Sequence, residues 1–155
     1  MNKLQILVVE EAIKHISRKA THHQIITDYK SDLILAPMDA KLIIQVIINL
    51  IDNAIKYTPR GSIIRITVEE KDSLVHVSVS DNGNGIPDYM KPRVFEMFYT
   101  GDNKIADSRR SLGLGLPLCK SIIHAHNGEI KVTDNNPKGC VFTFTIPSGE
   151  VNINE

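Results

Sequence analysis

The sequence has no net charge, with 18 lysines and arginines against 18 aspartates and glutamates. That balance argues against the electrostatic footprint of a nucleic-acid-binding protein and leaves long-range recruitment of an anion without a driving force. Any anionic ligand must be held locally. Cysteine is equally scarce. Cys119 and Cys140 are the only two in 155 residues, and no secretory signature stands at the N-terminus. This usage favours a reducing compartment over a disulfide framework. No apolar run reaches the roughly 20 residues of a membrane-spanning helix, so no membrane contact is expected from this domain itself. Aromatics make up 5% of the chain, but hydrophobic residues reach 42%. A chain of this length buries roughly 70% of its unfolded surface, enough to close one globular domain over residues 1–155 without a disulfide or a structural metal.

What is present is a chain of alternating helical and strand patterns. An apolar start and an amphipathic helix span 4–20, with Ala12, Ile13, Ile16 and Ala20 on one face. Short β-favouring runs follow at 24–29 and 33–36, the second closed by Pro37. Asp39 caps the longest predicted helix, about 39–57, which Thr58-Pro59-Arg60-Gly61 stops. Strands are predicted at 62–70 and 74–81, the second alternating Val75, Val77 and Val79 with polar residues, so that one sheet face is buried. A short helix at 91–98, an aperiodic polar stretch at 100–111, a helix at 114–126 and strands at 129–133 and 141–146 complete the pattern. The expected architecture is α+β, a two-layer sandwich of a mixed sheet with helices on one face.

The long helix carries its polar residues in an unusual place. Gln45, Asn49, Asp52, Asn53 and Lys56 interrupt an aliphatic run and fall within an arc of roughly 100°. A solvated stripe is one reading. The other rests on composition: asparagine is a poor helix former, tolerated where its amide has a task. Asn49 and Asn53 stand one turn apart with Lys56 three residues on, a set able to hold a Mg²⁺ that keeps most of its waters together with the phosphates it bridges.

Two glycine pairs follow. In Asp81-Asn82-Gly83-Asn84-Gly85-Ile86-Pro87 a carboxylate at a strand end precedes two glycines, which lets backbone pass close to a flat ligand. A calcium loop would need oxygen ligands where the glycines stand. In Ser111-Leu112-Gly113-Leu114-Gly115-Leu116 a second pair opens a helix whose dipole favours phosphate. The third glycine of a dinucleotide fingerprint is missing, since that position is Leu118, and so is the lysine-bearing phosphate loop. Either pair taken alone is also compatible with a plain turn.

Together, Asn49-Leu50-Ile51-Asp52-Asn53-Ala54-Ile55-Lys56-Tyr57, Asp81 to Ile86, Phe95-Glu96-Met97-Phe98-Tyr99 and Gly113-Leu114-Gly115-Leu116 resemble, in order, the motifs of the catalytic and ATP-binding domain of bacterial sensor histidine kinases. The resemblance covers about 4–147 and implies the Bergerat ATP-binding fold. The stretch 107–116, with Leu118-Cys119-Lys120-Ser121-Ile122 after it, is most similar to the Kdp-type (KdpD) potassium-responsive kinases.

Carried over residue by residue, the resemblance implies ATP and Mg²⁺ as cofactors. Asn53 is the metal ligand, with Asn49 beside it and Lys56 reaching the phosphates. Tyr57 lies along the nucleotide. Asp81 accepts from the adenine amine, a contact that a guanine carbonyl cannot make with an acceptor-only carboxylate. Gly83, Gly85 and Ile86 border the base, Gly113, Leu114 and Gly115 present backbone to the phosphates, and Arg109 or Arg110 neutralises charge on the transferred group.

Three positions depart from the family pattern: Ser111 for a frequent glycine, Cys140 for a Thr or Ser that helps place adenine through water, and Gln45 for an acidic residue or His. None of the six histidines is followed by an acid, as a phosphoacceptor usually is. The expectation is a fragment whose longer parent supplies the dimerisation helices and the sensor. That parent would be a membrane-anchored kinase with this domain in the cytoplasm, acting on its own phosphoacceptor domain and through it on a response regulator. Two other readings remain, an anti-sigma-type protein serine kinase and a nucleotide-binding scaffold without transfer activity. His124 and His126 are read as surface residues, His22-His23 as a loop pair, and Cys119, Leu116, Leu118, Ile122 and Ile123 as packing residues.

Overall fold

A computed structural model of the chain describes residues 2–30, 35–96 and 115–148. The elements run β1 (Asn2–Leu4), α1 (Gln5–Ile16), β2 (Gln24–Tyr29), β3 (Leu35–Met38), α2 (Ala40–Lys56), β4 (Ile63–Lys71) and β5 (Leu74–Asp81). A single 3-10 turn (Lys91–Arg93) precedes α3 (Gly115–Ala125), β6 (Ile130–Asp134) and β7 (Cys140–Pro147).

Five strands form one mixed sheet in the order β2-β4-β5-β7-β6. β2 and β4 are parallel, and the remaining neighbours are antiparallel. The expected α+β sandwich is what the chain forms. One partner was not foreseen: β1 pairs with β3 as a separate antiparallel ribbon, Asn2 opposite Met38. The expected helix at 91–98 is, over its described part, the short 3-10 turn followed by Val94 and Phe95.

Side-chain parity fixes the core. Along β5, Val75, Val77 and Val79 are buried while His76, Ser78 and Ser80 are only half-buried. On β7 the buried set is Cys140, Phe142, Phe144 and Ile146. Over this face lies α2, which contributes Ile43, Val46, Ile47, Leu50, Ile51 and Ala54. Fully burying an aliphatic side chain of this kind contributes about 1.5–3 kcal/mol, so this one interface carries much of the stability. α2 starts where expected: Asp39 accepts the Leu42 N–H at 3.2 Å as its N-cap.

α3 lies antiparallel to α2. At one end Cys119 Sγ donates to the Val46 carbonyl at 3.8 Å. At the other, His126 accepts the Asp39 N–H on Nε2 at 3.0 Å and donates from Nδ1 to the Ile122 carbonyl at 2.8 Å. His126 therefore fastens the start of α2 to the end of α3, a structural role beyond the surface residue expected. His22 and His23 are similarly engaged, with Arg60 and Thr58. Leu118, expected in the packing, is 49% exposed, because Cys119, Ile122 and Ile123 define the buried stripe and Leu118 falls outside it.

Candidate functional site

The parity that buries the valines of β5 continues to its last residue. Asp81 is two positions beyond Val79, so its carboxylate points into the helix-facing side of the sheet, and it is 6% exposed. A carboxylate so placed needs partners. Oδ1 accepts the Gly83 N–H at 2.9 Å and the Cys140 N–H at 3.4 Å, while Oδ2 accepts the Cys140 thiol at 3.3 Å. Burial, followed by the adjacent Asp81 carboxylate, pushes the Cys140 thiol up to about 12, so it stays protonated as a donor. Cys140 thus stands in direct contact with Asp81.

Above this carboxylate opens a cavity of about 300 Å³. Asn53 and Tyr57 from the end of α2 line one side, Asn84, Gly85, Ile86, Pro87, Met90 and Val94 another, and Leu116, Cys140 and Phe142 close it around Asp81. Phe95 supports Phe142 edge-on, ring centroids 6.0 Å apart. The glycines have steric reasons. A Cβ on Gly83 would stand 2.7 Å from Thr58 Cγ2, and Gly139, at φ +105°, would bring one to 2.0 Å from the Asp81 carbonyl oxygen. Thr58 is itself fixed, donating to the Ala54 carbonyl at 2.7 Å. The turn after β6 adds a tie, Asn135 Nδ2 donating to the Asp81 carbonyl at 2.7 Å.

Of the residues singled out from sequence, Asn53, Tyr57, Asp81, Gly85 and Ile86 line the cavity, and Gly83 sits beneath it on Asp81. Gly115 is the first residue of α3. The remaining two on α2 are engaged elsewhere. Asn49 accepts from Gln45 at 3.2 Å and donates to Cys119 Sγ at 3.7 Å, facing α3. Lys56 pairs with Asp52 Oδ2 at 3.2 Å, and Lys19 takes Oδ1 of the same carboxylate at 3.4 Å. Arg109, Arg110, Gly113, Leu114, Phe98 and Tyr99 lie outside the described residues, as does the whole polar stretch 100–111. Asn84, Met90, Val94 and Phe142 were missed as lining residues. Leu116, read as packing, lines the cavity.

Asn53 has no side-chain hydrogen-bond partner among the described residues, and its amide oxygen suits a hard cation that retains waters. No cluster of three or more His, Cys, Asp or Glu side chains able to hold a metal occurs among the described residues. Among them, too, no helix is long and apolar enough to cross a membrane.

Residues 38–150 match the family of histidine kinase-, DNA gyrase B- and HSP90-like ATPases. The sensor protein KdpD of Clostridium acetobutylicum is 45% identical over 140 residues, covering 90% of this chain and 16% of that protein. The chain therefore spans about a sixth of that relative's length. The solved catalytic domain of histidine kinase ThkA superposes with a TM-score of 0.83 at 30% identity, covering 95% of this chain and 94% of that one. ThkA has also been solved in complex with the response regulator TrrA, where the match has a TM-score of 0.80 at 29% identity over 95% of this chain and 41% of that one. With a buried carboxylate at a strand end, a glycine wall beside it and an asparagine-bearing helix across the cavity, the chain belongs to the histidine kinase-, DNA gyrase B- and HSP90-like ATPases, and among them to the catalytic domains of sensor histidine kinases.

Proposed function

We propose that this chain is the catalytic domain of a longer kinase, that it binds Mg-ATP in the cavity over Asp81, and that it donates the γ-phosphate to a histidine on its parent's dimerisation domain. The observation that carries this reading is the Asp81 carboxylate, 6% exposed at the cavity floor and held by three donors. A carboxylate has about four lone-pair sites, so one acceptor position remains for a base amine. Adenine offers that donor and guanine offers a carbonyl. The apolar contacts from Ile86, Met90, Val94 and Phe142 suit the faces and edge of a flat ring.

Asn53 is the side chain that would hold Mg²⁺, with Asn49 beside it once its amide leaves Gln45 and Cys119. When bound, Mg²⁺ supplies charge neutralisation between the phosphates. Lys56 reaches the phosphates by leaving Asp52, which keeps Lys19 as its counter-ion. Tyr57 flanks the nucleotide, Gly83 and Gly85 admit the base, and the N–H groups of Gly113, Leu114 and Gly115 serve the phosphates. Arg109 and Arg110 balance the charge of the transferred group. The full-length parent, anchored in a membrane with this domain in the cytoplasm, would pass the phosphoryl group to a response regulator, as the ThkA–TrrA complex makes reasonable for a relative.

The test is incubation with labelled ATP and Mg²⁺, with and without a separately supplied dimerisation helix pair from the parent. Label is expected on that helix pair in an acid-labile form, and none on His15, His22, His23, His76, His124 or His126. Without a positioned acceptor the reaction lacks the proximity contribution, which reaches about 7–11 kcal/mol. Acid-stable label, or rapid self-labelling at any of those six histidines, contradicts the proposal.

A further inference from the structure

Lys91 lies outside the cavity lining and belongs to none of the motifs quoted from the sequence, yet it ties one wall of the cavity to the end of β6. Its Nζ donates to the Ile86 carbonyl at 2.8 Å, on the glycine-loop wall, and to Asp134 Oδ1 at 2.9 Å, where β6 ends. A third contact, with Asp88 at 2.5 Å, stays within the loop's own segment. The Lys91 side chain is only 17% exposed, although the Asp134 and Asp88 side chains are 67% and 93% exposed.

The loop after Asp81 and the turn between β6 and β7 are separate stretches of chain, and the loop, which carries Ile86 into the cavity, needs something to hold it against the turn outside the lining. Close to Asp81 the two are in register already, because Gly85 packs against the Gly139 carbonyl and Asn135 donates to the Asp81 carbonyl. Beyond Gly85 the loop runs outward through Ile86 and Pro87, and there Lys91 makes the crossing. An exposed ion pair would do little for that wall. This ammonium differs, because a backbone carbonyl of a lining residue and a carboxylate at the end of β6 share it. A flat base gains from a gap fixed before it arrives, since less of the wall has to be ordered on binding.

We propose that Lys91 is a positioning residue for base recognition, holding the Ile86 wall at a fixed distance from the β6–β7 turn so that the cavity accepts a planar purine without rearrangement. This rests on the reading of the cavity as an adenine site. Lys91 does not touch the ligand. Its influence passes through Ile86, and Asp134 is the other half of the strap. Two consequences separate this from a stabilising surface contact. The effect falls on the base and not on the phosphates, and Lys91 and Asp134 act as one unit.

The experiment is calorimetric titration with adenosine and with Mg-ATP of the intact chain, Lys91→Met, Lys91→Arg, Asp134→Asn, the Lys91→Met/Asp134→Asn pair and Asp88→Asn. Circular dichroism confirms that each variant is folded, and Asp134→Asn, at an exposed side chain, keeps the strap testable if Lys91→Met folds poorly. Lys91→Met is expected to weaken adenosine and Mg-ATP by the same factor, about five- to tenfold. Asp134→Asn should reproduce most of that loss, the pair should be no weaker than Lys91→Met alone, Lys91→Arg should recover part of the affinity, and Asp88→Asn should bind like the parent. Undiminished adenosine affinity in Lys91→Met, or losses that multiply in the pair, overturns the strap. Failure of the unaltered chain to bind adenosine or Mg-ATP overturns the adenine reading, and the strap with it.

Discussion

Asp81 and Lys56 are, among the described residues, the two charged side chains that the family pattern assigns to a nucleotide, and the fold holds them in opposite ways. Asp81 sits in a strand register, with donors on both carboxylate oxygens that come from its own loop and from the neighbouring strand. Lys56 is half-exposed at the last turn of a helix, and its partner is another side chain of that helix, Asp52. Asn49, on the same side as Lys56, is likewise paired with its neighbours. On the proposed reading, the base end is therefore built before a ligand arrives, whereas the phosphate end must exchange partners to engage one. The difference follows from the elements used. Adjacent strands fix a carboxylate through main-chain donors that cannot leave, but a helix surface offers long side chains whose pairs form and break at little free-energy cost.

The largest effect is expected where the base end is broken through its backbone. Gly139→Ala introduces a Cβ 2.0 Å from the Asp81 carbonyl oxygen at a residue with φ +105°. Urea unfolding should show a loss of about 2–4 kcal/mol, because both the clash and the left-handed backbone must be relieved. Parent-like stability would mean that the β6–β7 turn yields freely and that the base end is not preformed.

Alkali should sharpen the same contrast. Burial pushes the thiols of Cys119 and Cys140 from their ordinary value of 9.0 up to about 12. Both pKa values are raised in the folded state, so the folded protein holds these protons where the unfolded chain has lost them. Their contribution is complete below pH 9 and declines as pH rises from 9 towards 12. Urea midpoints should accordingly fall between pH 8 and pH 10.5, and Cys140→Ser, which keeps a donor to Asp81 but does not titrate there, should flatten that fall. An unchanged slope in Cys140→Ser would mean that the folded state does not hold the Cys140 proton.

At the phosphate end the smallest effect is expected. Asp52→Ala breaks the pairs with Lys19 and Lys56, and its loss in unfolding free energy should stay within about 1 kcal/mol, because both lysines keep contact with solvent. A loss as large as that of Gly139→Ala would erase the distinction between the two ends.

Much of the fold was legible because its elements advertise themselves locally. The Asp39 cap and the aliphatic period of α2, and the valine alternation of β5, each fit inside one element. Asp81 was legible as a strand-end carboxylate followed by glycines, and its inward direction was already implied by Val75, Val77 and Val79. What escaped notice depends on distant partners. β1 is three residues long and has no period of its own, and it exists only because β3 offers an edge more than 30 residues away. The Cys140–Asp81 contact joins residues 59 apart, which no local pattern encodes. Lys91 reads as an ordinary surface lysine until the fold brings Asp134 beside it. Asn49 and Asn53 share a helix face, yet Cys119 on α3 draws one aside while the other lines the cavity.

The measurement that tests most directly whether the base end is preformed and the phosphate end exchanges partners is a calorimetric comparison of adenosine with Mg-ATP on the parent chain, Asp81→Asn and Lys56→Met. Asp81→Asn should weaken both ligands by the same factor, the loss of a charge-assisted hydrogen bond of about 1.5–3 kcal/mol, while Lys56→Met weakens Mg-ATP and leaves adenosine unchanged. Equal weakening of adenosine by Lys56→Met, or full retention of adenosine binding by Asp81→Asn, would contradict the division of the cavity into these two ends.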